Sequence, residues 1–273
     1  MISYRRMGAR FDLLYRLLLS KLAIDDLRFV EIECKKRVLP AEAAELKEWL
    51  LERQGVKHRK SVYFFDQFLD TPSFDLLKAG ASLRLRYKKN GTAVYLQYKG
   101  PGFVRDGLLY RSEFSSERLD RLVREESRHD VVHFSDTSVA EILARHAGPE
   151  MRAAMRRHLG GAMVRRITSG PILALYHKEK FEVDLGSAFL EPSLDRVSAF
   201  HIAKQGLHAL STFCEFENEI KASGGSLESK FEHLDEMLKF NAAVAKRFDL
   251  RREPLDKYHR CASFFAPPPR LRI

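Results

Sequence analysis

Cysteine is scarce in this chain: only Cys34, Cys214 and Cys261 occur among its 273 residues, and no two of them form a CxxC pair. That spacing excludes a disulfide framework and a zinc ribbon and points to a reducing, cytoplasmic setting. All three read as packed thiols. Long apolar runs are also missing. The leucine-rich start, residues 1–29, has no stretch long enough to cross a membrane and no small-residue cleavage site after it, so neither a transmembrane segment nor a signal peptide is expected there. Residues 1–27 read instead as an amphipathic helical extension that packs on the domain, with Arg5, Arg6, Arg10 and Arg16 available to an acidic membrane surface. His129 and His133 in 129-HDVVH-133 lack the glutamate of a zinc-protease helix, which leaves an exposed helix. No internal repeat, RRM-type aromatic motif or recognition helix is visible. Nucleic acid is therefore not expected as a partner, although the net charge of +10 calls for something anionic.

What is present describes an ordinary globular protein, with 45% hydrophobic and 31% charged residues. Helices are expected over 40–55, 73–80, much of 116–160 and about 226–248. Strands are expected at 30–38, 61–72, 82–101, 108–115, 162–169, 172–180, 181–186 and 212–222. Asn90-Gly91 marks a hairpin tip inside 82–101. The glycines of 100-GPGFVRDG-107 fit either a phosphate cradle or a loop between two strands, and Trp49 with its leucine neighbours reads as core. Strands joined by hairpins, with helices between them, make an α+β protein on an antiparallel sheet. No linker requires a second domain.

The strands have an unusual polar side. In 30-VEIECKKRV-38, Glu31, Glu33, Lys35 and Arg37 share one face. Arg84, Arg86 and Lys88 do the same in 82–88, Arg111 with Glu113 in 108–114, Glu182 with Asp184 in 181–185, and Glu215, Glu217, Glu219 with Lys221 in 213–221. One such strand is explained by a solvated face. Several are not, because the polar members are mostly charged and the signs are segregated by strand. If the sheet closes on itself, these side chains line a lumen. Such a lumen has to be filled by water, metal ions and a highly charged ligand, because unpaired charge away from water is very costly.

The Glu31-x-Glu33-x-Lys35 signature, 70-DTPSFDLLKAGASLRLR-86, Lys99 at a strand end, 111-RSE-113, 215-EFENE-219 and 257-KYHR-260 occur in that order over roughly residues 28–262. Together they resemble the CYTH domains, or triphosphate tunnel metalloenzymes. Residues 116–170 are the least matched part. Asp256 before Lys257 departs from the serine common at that place, and the N-terminal extension lies outside the pattern. The resemblance implies a closed, eight-stranded antiparallel β-barrel, a tunnel with surrounding helices, over residues 28–265, followed by a proline-rich tail at 266–273. It implies binding of a triphosphate or polyphosphate anion with Mg²⁺ or Mn²⁺, gripped by Lys35, Arg37, Arg84, Arg86, Lys99, Arg111 and Lys257 and by Arg165 or Arg166. Glu31, Glu33, Asp184, Glu215 and Glu217 would hold the metals, with Glu31, Glu33 and Lys35 as the catalytic set. The implied activity is metal-dependent hydrolysis, with inorganic triphosphate as the expected substrate. Adenylate cyclisation, thiamine triphosphate hydrolysis and a non-catalytic polyphosphate- or nucleotide-binding module are the alternatives. A homodimer is left open.

Overall fold

In the computed structural model, the structure describes residues 4–88, 94–119, 136–203, 206–223, 228–248 and 250–265. The Asn90-Gly91 tip, His129, His133 and the 266–273 tail lie outside them. The elements run α1 (Tyr4–Leu22), β1 (Val30–Val38), α2 (Ala43–Glu52), β2 (Val56–Asp70), α3 (Asp75–Lys78), β3 (Ser82–Lys88), β4 (Val94–Arg105), β5 (Leu108–Ser115), α4 (Asp136–His146), α5 (Pro149–Leu159), α6 (Gly161–Val164), β6 (Thr168–Asp184), β7 (Ala188–Ala203), β8 (Gly206–Ala222), α7 (Glu228–Glu232), α8 (Leu234–Phe248), β9 (Arg251–Arg252) and α9 (Lys257–Ala262). No described helix is long and apolar enough to cross a membrane.

One large antiparallel sheet organises the chain, in the order β5-β4-β3-β2-β6-β7-β8-β1 with β9 beside β1. It rings back on itself because β1 is shared. The first half of β1 pairs with β5 (Glu31 opposite Arg111), and its second half pairs with β8 (Lys35 opposite Glu217). Side chains alternate across each strand, so the ring has an outer and an inner face. On the outer face Ile32, Leu83, Leu85, Leu96, Phe181, Phe216 and Ile220 are wholly buried. They form one core with Leu18 and Leu22 of α1, Leu46 and Leu50 of α2, Met151 and Met155 of α5, and Met237 and Val244 of α8. The apolar side of the strands therefore points outward, under helices, and leaves the charged side facing in. At one end of the ring the inner face turns apolar. There Phe64, Phe68, Tyr176, Val197 and Phe213 pack with Tyr258, Cys261 and Ala262 of α9, which closes that end.

Local chemistry explains the sharpest turns. Asp70 accepts the backbone N–H groups of Thr71, Leu76 and Leu77 at 2.6, 2.9 and 3.1 Å, which fixes the Asp-Thr-Pro corner and caps α3. The glycine-rich stretch after Lys99 is no phosphate cradle, and only its last two residues form a loop between two strands. β4 runs through it to Arg105 with a bulge between Lys99 and Gly102. A Cβ on Gly102 would come within 2.8 Å of the Tyr110 carbonyl oxygen. The hairpin then turns on Asp106 and Gly107, at φ +52° and +81°, the paired left-handed conformation that two-residue hairpins need.

Several expected elements are redrawn. The strand expected at 162–169 is mostly the α6 turn, and β6 begins only at Thr168. The segments 172–180 and 181–186 form one continuous strand. β7 was not foreseen, and the last long helix is two helices, α7 and α8.

Candidate active site

The inner face encloses a cavity of about 230 Å³. Its wall carries nine bases (Lys35, Arg84, Arg86, Lys99, Arg111, Lys178, Lys180, Lys221, Lys257) against seven acids (Glu31, Glu33, Glu113, Glu191, Glu217, Glu219, Asp256). Asp66, Asp195 and Glu215 pair with these bases from behind the wall, so the cluster is close to neutral, and cations bound to its acids would tip it toward an anionic occupant.

Three groups of contacts hold these charges in place. Lys99 Nζ donates to both carboxylate oxygens of Glu31 at 2.6 and 2.7 Å. Arg111 donates through Nε to Glu31 at 2.9 Å and through Nη1 to Asp256 at 3.0 Å, while its Nη2 lies 2.9 Å from Glu33. Burial works against ionisation of Glu31, but Lys99 and Arg111 outweigh it and hold the carboxyl well below the usual range. In the second group Lys257 Nζ stands 2.8 Å from Asp195 and 2.6 Å from both Glu215 and Glu217. Lys178 reaches Asp195 and Glu217 at 3.1 and 2.8 Å, and Lys35 bridges Glu33 and Glu217 at 3.2 and 3.3 Å. Burial disfavours the Lys257 cation, yet its three carboxylates raise it well above the ordinary lysine value. The third group is built on Asp66, which is fully buried on β2. It accepts from Arg84 at 2.9 Å, from Arg86 twice at 2.9 Å and from the Tyr176 hydroxyl at 2.8 Å. Arg86 also lies over the rings of Phe64 and Tyr176.

Among the described residues, two carboxylate sets bring oxygens within 4.8 Å of one another, Asp195/Glu215/Glu217 and Glu31/Glu113/Glu219. Both offer only oxygen, the donor type that Mg²⁺ and Mn²⁺ take. The first set fits a cation on a further count, since the buried Asp195 Oδ1 receives no hydrogen bond among the described residues. In the second, burial and the neighbouring Glu31 and Glu113 push the Glu219 carboxyl up to about 7, despite its contact with Lys221.

Of the residues named from sequence, Glu31, Glu33, Lys35, Arg84, Arg86, Lys99, Arg111, Glu217 and Lys257 line the cavity, and Glu215 lies behind Lys257. Four are not brought there. Arg37, near the end of β1, is half exposed and paired with Glu253 at 2.7 Å. Asp184 sits at the solvent end of β6 and accepts the Gly186 N–H at 2.8 Å. Arg165 and Arg166 are exposed because the α6 turn replaces the expected strand. The position expected for Asp184 is taken by Asp195. The sequence reading missed Lys178, Lys180, Glu191 and Asp195 as site residues. The alternation in 176-YHKEK-180 and 191-EPSLD-195 carried the signal, and Pro192 masked the second.

Comparison with known proteins matches residues 30–153 to the family described as CYTH domain. No curated protein matches. Among solved structures, a Hippeastrum protein described as an adenylyl cyclase with a dominant triphosphatase activity is 19% identical. The match covers 86% of this chain and 95% of that one, with a TM-score of 0.53. A Bacillus halodurans protein described as an adenylate cyclase is 18% identical, over 84% and 95% of the two chains, with a TM-score of 0.46. Residues 30–153 are thus similar to the CYTH domain family, and the ring of antiparallel strands to which they contribute extends beyond that match.

Proposed function

We propose that the ring is a tunnel-type barrel, spanning residues 28–265 between the N-terminal extension and the C-terminal tail, and that its cavity binds a triphosphate group with a divalent cation and hydrolyses a phosphoanhydride bond. Inorganic triphosphate is the expected substrate. The observation that carries the reading is one cavity in which nine bases face seven acids, with the Glu31/Glu113/Glu219 set on its wall and Asp195 and Glu215 buried behind Glu217. The triphosphatase activity described for the Hippeastrum protein points the same way.

Phosphoryl transfer asks the protein mainly for positioning and charge neutralisation. Arg84 and Arg86, already splayed by Asp66, present guanidinium groups suited to gripping phosphate oxygens in pairs. Lys35, Lys99, Arg111 and Lys257, joined by Lys178 and Lys180, supply the remaining positive charge. Asp195, Glu215 and Glu217 would hold one cation, with Glu31 and Glu33 supplying carboxylates from β1. A bound Mg²⁺ or Mn²⁺ would neutralise phosphate oxygens and acidify a water molecule. Before substrate arrives, each base is held by a carboxylate, so cations occupying those acids would release Lys and Arg groups to the phosphates.

The test is orthophosphate release from inorganic triphosphate, thiamine triphosphate and ATP, with and without Mg²⁺ or Mn²⁺, with cAMP measured separately. Metal-dependent orthophosphate release, lost in Glu33→Gln with folding intact, is expected. Tight binding without release in either metal would instead make the chain a binding module, and cAMP as the main product would make it a cyclase.

A further inference from the structure

Arg111 has three carboxylate partners, and they are not equivalent. Glu31 belongs to one of the two carboxylate sets, and Glu33 is assigned to a cation in the reading above. Asp256, 3.0 Å from Arg111 Nη1, is in neither set and is held by a helix cap instead. Behind Asp256 stands His259, only 8% exposed. Its backbone N–H donates to Asp256 Oδ1 at 2.9 Å, an ordinary helix cap that any residue at 259 would supply. The side chain adds what a cap does not require. Nδ1 lies 2.7 Å from the same Oδ1, and Nε2 lies 2.8 Å from the Leu77 carbonyl oxygen at the end of α3. A carbonyl oxygen only accepts, and so does an ionised carboxylate, so both ring nitrogens carry protons and the ring is an imidazolium. Burial opposes the charges of both partners. Even so, His259 and Arg111 hold the Asp256 carboxyl well below its usual range, and Asp256 raises His259.

We propose that His259 is a positioning residue: as an imidazolium braced on Leu77, it fixes Asp256, which in turn aims the Arg111 guanidinium into the cavity. The proposal rests on the reading above that Arg111 grips phosphate. When cations draw Glu31 and Glu33 away, Asp256 remains, among the described residues, as the one carboxylate holding Arg111, and its charge is balanced from behind rather than at the expense of the guanidinium. The pair thereby keeps Arg111 oriented without neutralising it, as outer hydrogen-bond partners do for metal ligands.

Two measurements test this. In the wild-type chain without substrate, a long-range ¹H–¹⁵N spectrum at pH 7.5 should show both ring nitrogens of His259 protonated. In triphosphate hydrolysis, His259→Gln, which keeps the backbone cap, should raise KM about tenfold while kcat stays within about twofold. Asp256→Asn combined with His259→Gln should be no worse than the poorer single variant, because the two act as one unit. A neutral His259 ring, an unchanged KM in the folded variant, or additive losses in the double variant overturns the proposal while leaving the hydrolase reading intact. A wild-type chain that neither binds nor hydrolyses triphosphate defeats that reading and this one with it.

Discussion

The two faces of the same strands follow opposite rules. On β1, Ile32 is wholly buried under helices among other hydrocarbon groups, while its neighbours Glu31 and Glu33 are nearly as buried but paired with basic side chains. Burial alone therefore says nothing about what a residue contributes. Outside the ring it measures removal of apolar surface from water, which stabilises. Inside, it measures desolvation of ions, which costs stability that paired charges only partly return. The outer face holds the fold, and the inner face holds a site that weakens it.

The largest expected effect that sharpens this contrast is on the outside. Leu85→Ala, at a wholly buried outer position, should cost about 2–5 kcal/mol of stability in denaturant unfolding, with kcat/KM per folded molecule unchanged. Lys99→Met, on the inside, should do the reverse. It should lower kcat/KM by roughly a hundredfold or more with the unfolding midpoint close to wild type, and a collapsed midpoint would mean that the inner charges also carry the fold. Next comes Glu219→Gln, measured with a chelator present. Folded Glu219 titrates at about 7 against an ordinary 4.5. The folded chain thus holds this proton more tightly than the unfolded chain, and stability falls as pH rises from about 4.5 to about 7. The glutamine variant should be more stable than wild type at pH 8 by roughly 1–3 kcal/mol and equal to it at pH 5. The smallest effect concerns a charge on the outer face. Glu179 is held by Lys47 at 2.6 Å, by His58 at 2.9 Å and by Ser61. Although burial opposes ionisation, these bonds bring it down to about 2. Lys47 is more than a third exposed, so Lys47→Ala should cost less than about 1 kcal/mol at pH 7.

The sequence made the inner face legible where alternation was unbroken. The run 30-VEIECKKRV-38 showed its two sides plainly, and so did 82-SLRLRYK-88 and 213-FCEFENEIK-221. In each, charged side chains line the cavity: Glu31, Glu33 and Lys35 from the first, Arg84 and Arg86 from the second, Glu217, Glu219 and Lys221 from the third. Where a strand contains a residue that strands usually reject, the pattern was lost. Pro192 sits within β7, hiding the Glu191–Ser193–Asp195 face, and so the third carboxylate of the metal set was sought at Asp184. Arg165 and Arg166 misled for a different reason. Two adjacent bases beside apolar residues suit a strand or a turn equally, and only the packing of α6 decides. Asp256 and His259 could not have been paired with Arg111 from spacing alone, because the contact to Arg111 crosses 145 positions of chain.

Because β1 is held on both margins, by β5 at one half and β8 at the other, its alignment answers to two neighbours at once. Inserting a single residue within it would send Glu33 and Lys35 toward the helices and bring hydrocarbon into the chamber. Insertions and deletions in this segment should therefore be accepted only in even steps, if at all, and libraries of length variants should be depleted of odd ones.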